Sequence, residues 1–271
     1  MDVPLSESRI EPVKLEPGSR FTFACHKGLP CFTRCCYGID IILTPYDILR
    51  MKQRLGLSAD DFLVAYTTLE ILEKTQLPVP RLRMQEDGGC PFVTPKGCSI
   101  YEDRPATCRY YPLGMAVLKK QDLPEKENFY FMIREAHCLG WGESKRWTVA
   151  EWRADQGVDL YDEVNRGWMD FVIRKRSLGP QAQLSEKALR LFFMVSTNVE
   201  RFRRFVFESR FLSLYEVPPS RVEQLRTDDV ALLHFGMEWL ESVFFGVQHV
   251  RLRPGVQGAR QGSTDAGKSE R

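Results

Sequence analysis

"CHKGLPCFTRCC", residues 25–36, puts four thiols into twelve residues of a 271-residue chain that has eight cysteines in all. Its reading decides the fold, because thiols that are disulfide partners, redox catalysts or metal ligands organise different kinds of domain. The N-terminus, "MDVPLSESRIEPVKLEPGSR", has no apolar core behind a basic start, and no apolar run reaches the roughly 18 residues that span a bilayer. The expected address is therefore the cytoplasm, where structural disulfides are rare and clustered thiols are more often ligands. With 43% hydrophobic residues the chain can bury a sizeable core.

Written out, the thiols are Cys25-x5-Cys31-x3-Cys35-Cys36, then Cys90-x7-Cys98-x9-Cys108, then Cys138. A zinc ribbon would carry two C-x2-C pairs and a bacterial ferredoxin C-x2-C-x2-C-x3-C-P, and neither is present. The C-x3-C-x2-C of radical enzymes that cleave S-adenosylmethionine also fails, since Cys36 follows Cys35 at once. The chemistry of the donors still points to metal: thiolate is the soft ligand preferred by zinc and by iron–sulfur clusters, and four complete either kind of site. Adjacent Cys35 and Cys36 leave one backbone in different directions, which suits different metal atoms or different sites.

His26 and His137 adjoin Cys25 and Cys138, and imidazole can replace a thiolate, although loop histidines more often serve as ordinary polar residues. In "CSIYEDRPATCRYYPLG", from Cys98, Arg104 and Arg109 carry fixed charge that can support bound thiolates or an anionic cluster, while Tyr101, Tyr110, Tyr111 and Pro112 can exclude water. The ordinary alternative is that Arg104 pairs with Glu102 or Asp103 and the tyrosines are half-buried core.

All eight cysteines lie between Cys25 and Cys138, which divides the chain. The cysteine-bearing part alternates short extended candidates, "FTFAC", "GIDIIL", "RLRMQ", "MAVLKK" and "FYFMIRE", with helices. One helix is bounded by Thr44 as cap, Pro45 in its first turn, Asp47 three residues after the cap, and Gly56 at its end. Ser58 caps a second, with Asp60 and Asp61 in the first turn. Beyond, Phe192, Val195, Val199, Phe202 and Val206 recur at intervals of three and four, as do Leu233, Met237, Leu240 and Phe244 after a cap at Thr227; both stripes read as helical core. The expected class is α+β: a flexible arm (1–18), a cysteine-rich metal-binding domain of short strands and helices (19–155), a mainly helical subdomain (156–252) and a disordered tail (253–271).

Charge excludes some partners. With 38 basic and 36 acidic residues there is no net field to attract nucleic acid or anionic lipid. The run Arg201, Arg203, Arg204 and Arg210 is interleaved with Glu200 and Glu208 and reads as a solvated helix face. Neither nucleic acid nor membrane is expected as a partner; another protein is.

Three segments resemble the CxxCxxCC (YkgJ) cysteine-cluster family of zinc- or iron-chelating domains. "CFTRCCYGIDIILTPYDILRMKQRLGLSADDFL" (31–63) is similar to its opening, a cysteine run ending in a pair before a short strand and two helices. "GCPFVTPKGCSIYEDRPATCRYYPLG" (89–114) matches C-x-F-x(n)-C-x-I-Y-x-x-R-P-x-x-C-R-x-Y-P. "HCLGWGESKRWTVAEW" (137–152) is similar to the last family cysteine and the helix after it. The opening gaps are five and three where family members usually have two. The resemblance covers roughly residues 20–155 and implies that Cys25, Cys31, Cys35, Cys36, Cys90, Cys98, Cys108 and Cys138 hold zinc or a [4Fe-4S] cluster, the latter favoured by the arginines and aromatics crowding the ligands. Some members are described as flagellin lysine N-methylases, which implies an alternative that uses S-adenosylmethionine. Against it, the sequence has no glycine-rich nucleotide-binding turn and no pair that activates an amine. A thiol-redox or metal-trafficking protein is a third reading, weakened by the strained ring that a Cys35–Cys36 disulfide would close.

Overall fold

The structure, a computed structural model, describes residues 8–119, 126–179 and 182–254. In chain order the elements are β1 (Ser8–Leu15), β2 (Arg20–Thr22), α1 (Pro45–Leu55), α2 (Ala59–Tyr66), β3 (Thr67–Ile71), β4 (Pro78–Leu82), β5 (Val93–Thr94), β6 (Gly97–Cys98), α3 (Ala106–Tyr110), β7 (Leu113–Lys119), β8 (Lys126–Glu135) and β9 (Arg146–Thr148). Helices follow almost without interruption: α4 (Val149–Gln156), α5 (Val158–Ser177), α6 (Glu186–Thr197), α7 (Val199–Glu208), α8 (Phe211–Leu214), α9 (Pro219–Thr227) and α10 (Asp229–Phe245). The class is α+β, with short strands confined to the cysteine-bearing part. The described residues form two compact units: those up to Leu57 with Asp61–Glu70 and Val79–Glu163, and Ser58–Asp60 with Ile71–Pro78 and those from Val164 onward.

In the first unit, β7 and β8 pair antiparallel from Leu113↔Met132 onward, and β1 adds to the other edge of β8 with Ile10 opposite Ile133. Residues 8–15 are thus a strand, where a flexible arm (1–18) is expected from the sequence. Pro12 falls in the stretch after Glu11 where the register shifts, an irregularity at which a ladder tolerates a proline. β2 pairs with β9, Phe21 opposite Trp147. Of "GIDIIL" only Ile42 bridges, to Arg81; Ile41 and Leu43 are buried, so this stretch is extended core.

Two apolar clusters hold this unit. One joins Phe21, Phe23, Tyr110, Leu113, Tyr130, Met132, Val149 and Trp152; the other joins Ile41, Leu43, Ile48, Met51, Phe62, Leu82, Phe92 and Ile100. Helix α1 starts on a capping box, with Asp47 N–H donating to Thr44 Oγ1 and Thr44 N–H to the Asp47 carboxylate, and ends at Gly56 with φ +66°.

The second unit is helical around Phe171, Phe192, Phe202, Phe211, Phe235 and Trp239, in ring contacts of 5.0–6.0 Å. The stripe from Phe192 to Val206 is buried throughout but runs along two helices, broken at Asn198, whose side chain accepts the Arg201 N–H at 2.8 Å and starts α7. Thr227 ends α9, and the cap of α10 is Asp228, which accepts from Ala231 N–H at 2.9 Å. Arg203 pairs with Asp229 at 2.6 Å, and Arg204 and Arg210 are exposed. The tail expected from 253 lies, from 255 on, outside the described residues. No described helix is long and apolar enough to cross a membrane.

Candidate metal centre

All eight cysteines belong to the first unit and arrive on four segments. The first follows β2. Ala24 N–H donates to Gly140 O at 3.1 Å, which lays Cys25 beside the turn that carries Cys138. That approach depends on Gly140: a Cβ there would stand 2.6 Å from Ala24 O and 2.7 Å from the Phe23 ring. The chain then turns back, and Leu139 N–H donates to the Cys31 sulfur at 3.2 Å. Cys25, Cys31 and Cys138 are thereby neighbours, although Cys31 and Leu139 are 108 positions apart.

The vicinal pair ends a short 3-10 turn, Arg34–Cys36, that starts at Thr33 with φ +67°. A β-branched residue in the left-handed region is strained, and such strain is kept where surrounding structure fixes a local arrangement. The turn hands Cys36 to the next segment, where Cys90 N–H donates to Cys36 O at 2.8 Å and Tyr37 bridges to Gly89.

Cys90 and Cys98 flank the β5–β6 hairpin. Val93 N–H donates to Cys90 O, Val93 pairs with Cys98, and Gly97 turns the chain at φ +117° with its open side facing Phe32. Cys108 lies on α3, whose first N–H, at Ala106, donates to Asp47 Oδ1 at 2.8 Å. The α1 capping box thus also positions α3. Cys90, Cys98 and Cys108 pack against the cluster around Ile41 and Phe92; Cys138 packs against the one around Phe21 and Trp152.

The thiols sense one another. Burial, with Cys35, Cys138 and Cys31 as neighbours, pushes the Cys25 thiol up to about 11. Contact with Cys36 and then burial push Cys35 far up; burial and the nearby Cys90, Cys35 and Cys98 do the same to Cys108. Burial raises Cys90, Cys98 and Cys138 as well, and N–H groups oppose it: Phe92 and Val93 face Cys90, Ile100 faces Cys98, and Gly140 faces Cys138. Backbone donors aimed at sulfur stabilise thiolate. These sulfurs therefore sit among groups prepared for anions and yet crowd each other, an arrangement that a cation reverses from repulsion to attraction.

Among the described residues, no group of three or more His, Cys, Asp or Glu side chains lies close enough together to hold a metal ion. Cys25, Cys31, Cys35 and Cys138 lie within electrostatic range of one another, as do Cys35, Cys90, Cys98 and Cys108, and neither set closes around one point. The donor set nonetheless fits zinc or an iron–sulfur cluster: soft sulfur, backbone donors to sulfur, and an apolar wall.

The arginines differ. Arg109 is buried and donates to Arg104 O, Gln156 O, Glu102 O and Tyr161 Oη, with its plane over the Tyr161 ring. Arg104 donates to Tyr101 O and Gln156 Oε1, and its charge lies near Cys98 and Cys108. Arg104 does not pair with Asp103, which binds Arg50 at 2.5 Å. His26 accepts from Gly28 N–H at 3.2 Å and its Nε2 is 3.4 Å from Glu143; His137 Nε2 is 3.2 Å from Glu135. The Tyr111 hydroxyl is buried without a hydrogen bond of ordinary geometry and faces Cys138, which together with burial pushes the phenol up. Sequence reading missed Gly140, Glu135, which lies near Cys35 and Tyr111, and Gln156, the shared partner of both arginines. Only Gly140, in "CLGWG", carried a sequence signal.

No curated protein and no solved structure matches this chain. Residues 24–139 match the family model CxxCxxCC, described as "Putative zinc- or iron-chelating domain", a span that contains all eight cysteines. By that match and by the cysteine pattern, the segment 24–139 is a member of the CxxCxxCC family.

Proposed function

We propose that the first unit binds metal through its eight cysteines, as [4Fe-4S] rather than zinc, and that the metal holds together a loop-rich module that serves a protein partner. What supports this reading is the approach of cysteines from separate segments, Cys31 to the turn of Cys138 and Cys90 to the backbone of Cys36, with N–H groups directed at Cys31, Cys90, Cys98 and Cys138. The guanidinium of Arg104 near Cys98 and Cys108 supports an anionic cluster. Bound metal would supply a cross-link between segments far apart in sequence, so its loss would loosen or unfold the unit. An iron–sulfur cluster would add one-electron chemistry.

Metal analysis with an absorption spectrum, on protein purified without oxygen, tests the reading. A brown protein with iron and acid-labile sulfide supports it, colourless protein with zinc keeps the module and changes the metal, and protein without either refutes it. Titration of the same preparation with S-adenosylmethionine in a calorimeter separates module from methylase: a saturable isotherm moves the reading to the methylase.

A further inference from the structure

We infer that the Tyr111 hydroxyl and the Trp141 indole N–H donate hydrogen bonds to sulfur of an iron–sulfur cluster bound beside Cys138, and thereby raise its reduction potential. The inference rests on the metal-binding reading above and deepens it: it concerns two donors that are not thiols and assigns no cysteine to a centre. Its basis is hydrogen-bond satisfaction. Trp141 lies three residues after Cys138, in the short turn Leu139–Gly142, and the Tyr111 hydroxyl faces Cys138. Phe23 meets both rings edge-on, with the ring centre of Trp141 at 5.1 Å and that of Tyr111 at 6.1 Å, and both pack on the same apolar residues as Cys138. The hydroxyl oxygen and the indole nitrogen are shut off from water and have no hydrogen-bond partner of ordinary geometry.

Neighbouring donors in the same apolar group are paired. Trp147 donates to Phe23 O at 2.9 Å, Trp152 to Tyr110 O at 3.2 Å, and the Tyr110 hydroxyl to Asp162 at 2.5 Å. A buried donor left without an acceptor bears its whole desolvation cost, so two such donors on either side of Phe23 call for a common acceptor that the chain does not supply. A zinc ion adds no acceptor. An iron–sulfur cluster adds inorganic sulfide, which carries lone pairs and negative charge. One-electron reduction adds one more negative charge to the cluster, and donors aimed at its sulfur favour that reduced state over the oxidised one.

Redox titration of the full chain, purified without oxygen and followed by the visible absorption of the cluster, tests this. Tyr111→Phe and Trp141→Phe are each expected to keep the iron and sulfide content of the wild type and to titrate at a lower potential, with the ratio of reduced to oxidised cluster at a fixed potential falling about tenfold. Trp147→Phe, which removes a donor already paired within the protein, is expected to leave the potential unchanged. Wild-type potentials in both Tyr111→Phe and Trp141→Phe overturn the inference while leaving metal binding intact. An equal shift in Trp147→Phe overturns it as well, since the effect is then one of packing, and so does loss of the cluster from both variants, which makes the two residues structural. A wild-type chain without iron and sulfide refutes the iron–sulfur reading itself and the inference with it.

Discussion

Asp47 accepts the Ala106 N–H at 2.8 Å with one carboxylate oxygen and the Thr44 N–H at 2.8 Å with the other. One buried side chain therefore caps α1 and holds the first turn of α3, which carries Cys108. Replacing it with alanine removes a cap and orphans a buried N–H. Asp47→Ala is expected to cost about 2–4 kcal/mol, read as a lower urea midpoint, and to weaken metal retention. An unchanged midpoint contradicts the role given to this residue.

Burial raises the Asp47 carboxyl from 3.8 to about 6, against the hydrogen bonds from Thr44 and Ala106 that favour its ionised form. An acid raised in the folded state binds its proton more firmly there than in the unfolded chain. Its contribution to stability is therefore complete below pH 3.8 and is lost as the pH rises through about 6. Relative to Asp47→Asn, the wild type should lose stability across that window. A relative gain would mean that the hydrogen bonds outweigh burial.

Gly140 and Gly142 make a matched pair. A methyl at Gly140 meets Ala24 O at 2.6 Å, whereas one at Gly142 meets nothing within 4 Å. Gly140→Ala is expected to destabilise by about 1–3 kcal/mol and to lower metal content by displacing the Cys25 segment from Cys138. Gly142→Ala should be neutral in both respects, and equal effects from the two substitutions would show that close approach is not what matters.

Much of this was legible in the chain. Thr44, Pro45, Asp47 and Gly56 bound α1 in both sequence and structure, because capping and glycine termination are local. The "GCPFVTPKGCSIYEDRPATCRYYPLG" block carried the resemblance to the family for the same reason, although the opening cysteine gaps depart from it. The tether from Asp47 to Ala106, the pairing of β1 with β8 and the nearness of Cys31 to Leu139 join residues far apart in sequence, and no local pattern encodes them. The break at Asn198 escaped because the stripe Phe192–Val206 keeps its helical period through a residue that ends one helix and caps the next.

The two arginines should part in experiment. Arg109 donates to three backbone carbonyls and a tyrosine, so Arg109→Ala is expected to cost about 3–5 kcal/mol through buried acceptors left unpaired. Arg104 contributes charge near Cys98 and Cys108. Arg104→Gln is expected to weaken metal binding about 10–100-fold, with Arg104→Lys retaining more of it. Competition with a chelator measures both, and identical affinities for the Gln and Lys variants would exclude a role for the charge.

X-ray absorption at the metal edge of the loaded, full-length chain tests the central claim most directly. An all-sulfur shell, at the distances of zinc thiolate or of an iron–sulfur cluster, is the expected result. A shell dominated by oxygen or nitrogen would contradict the claim that these eight cysteines hold the metal.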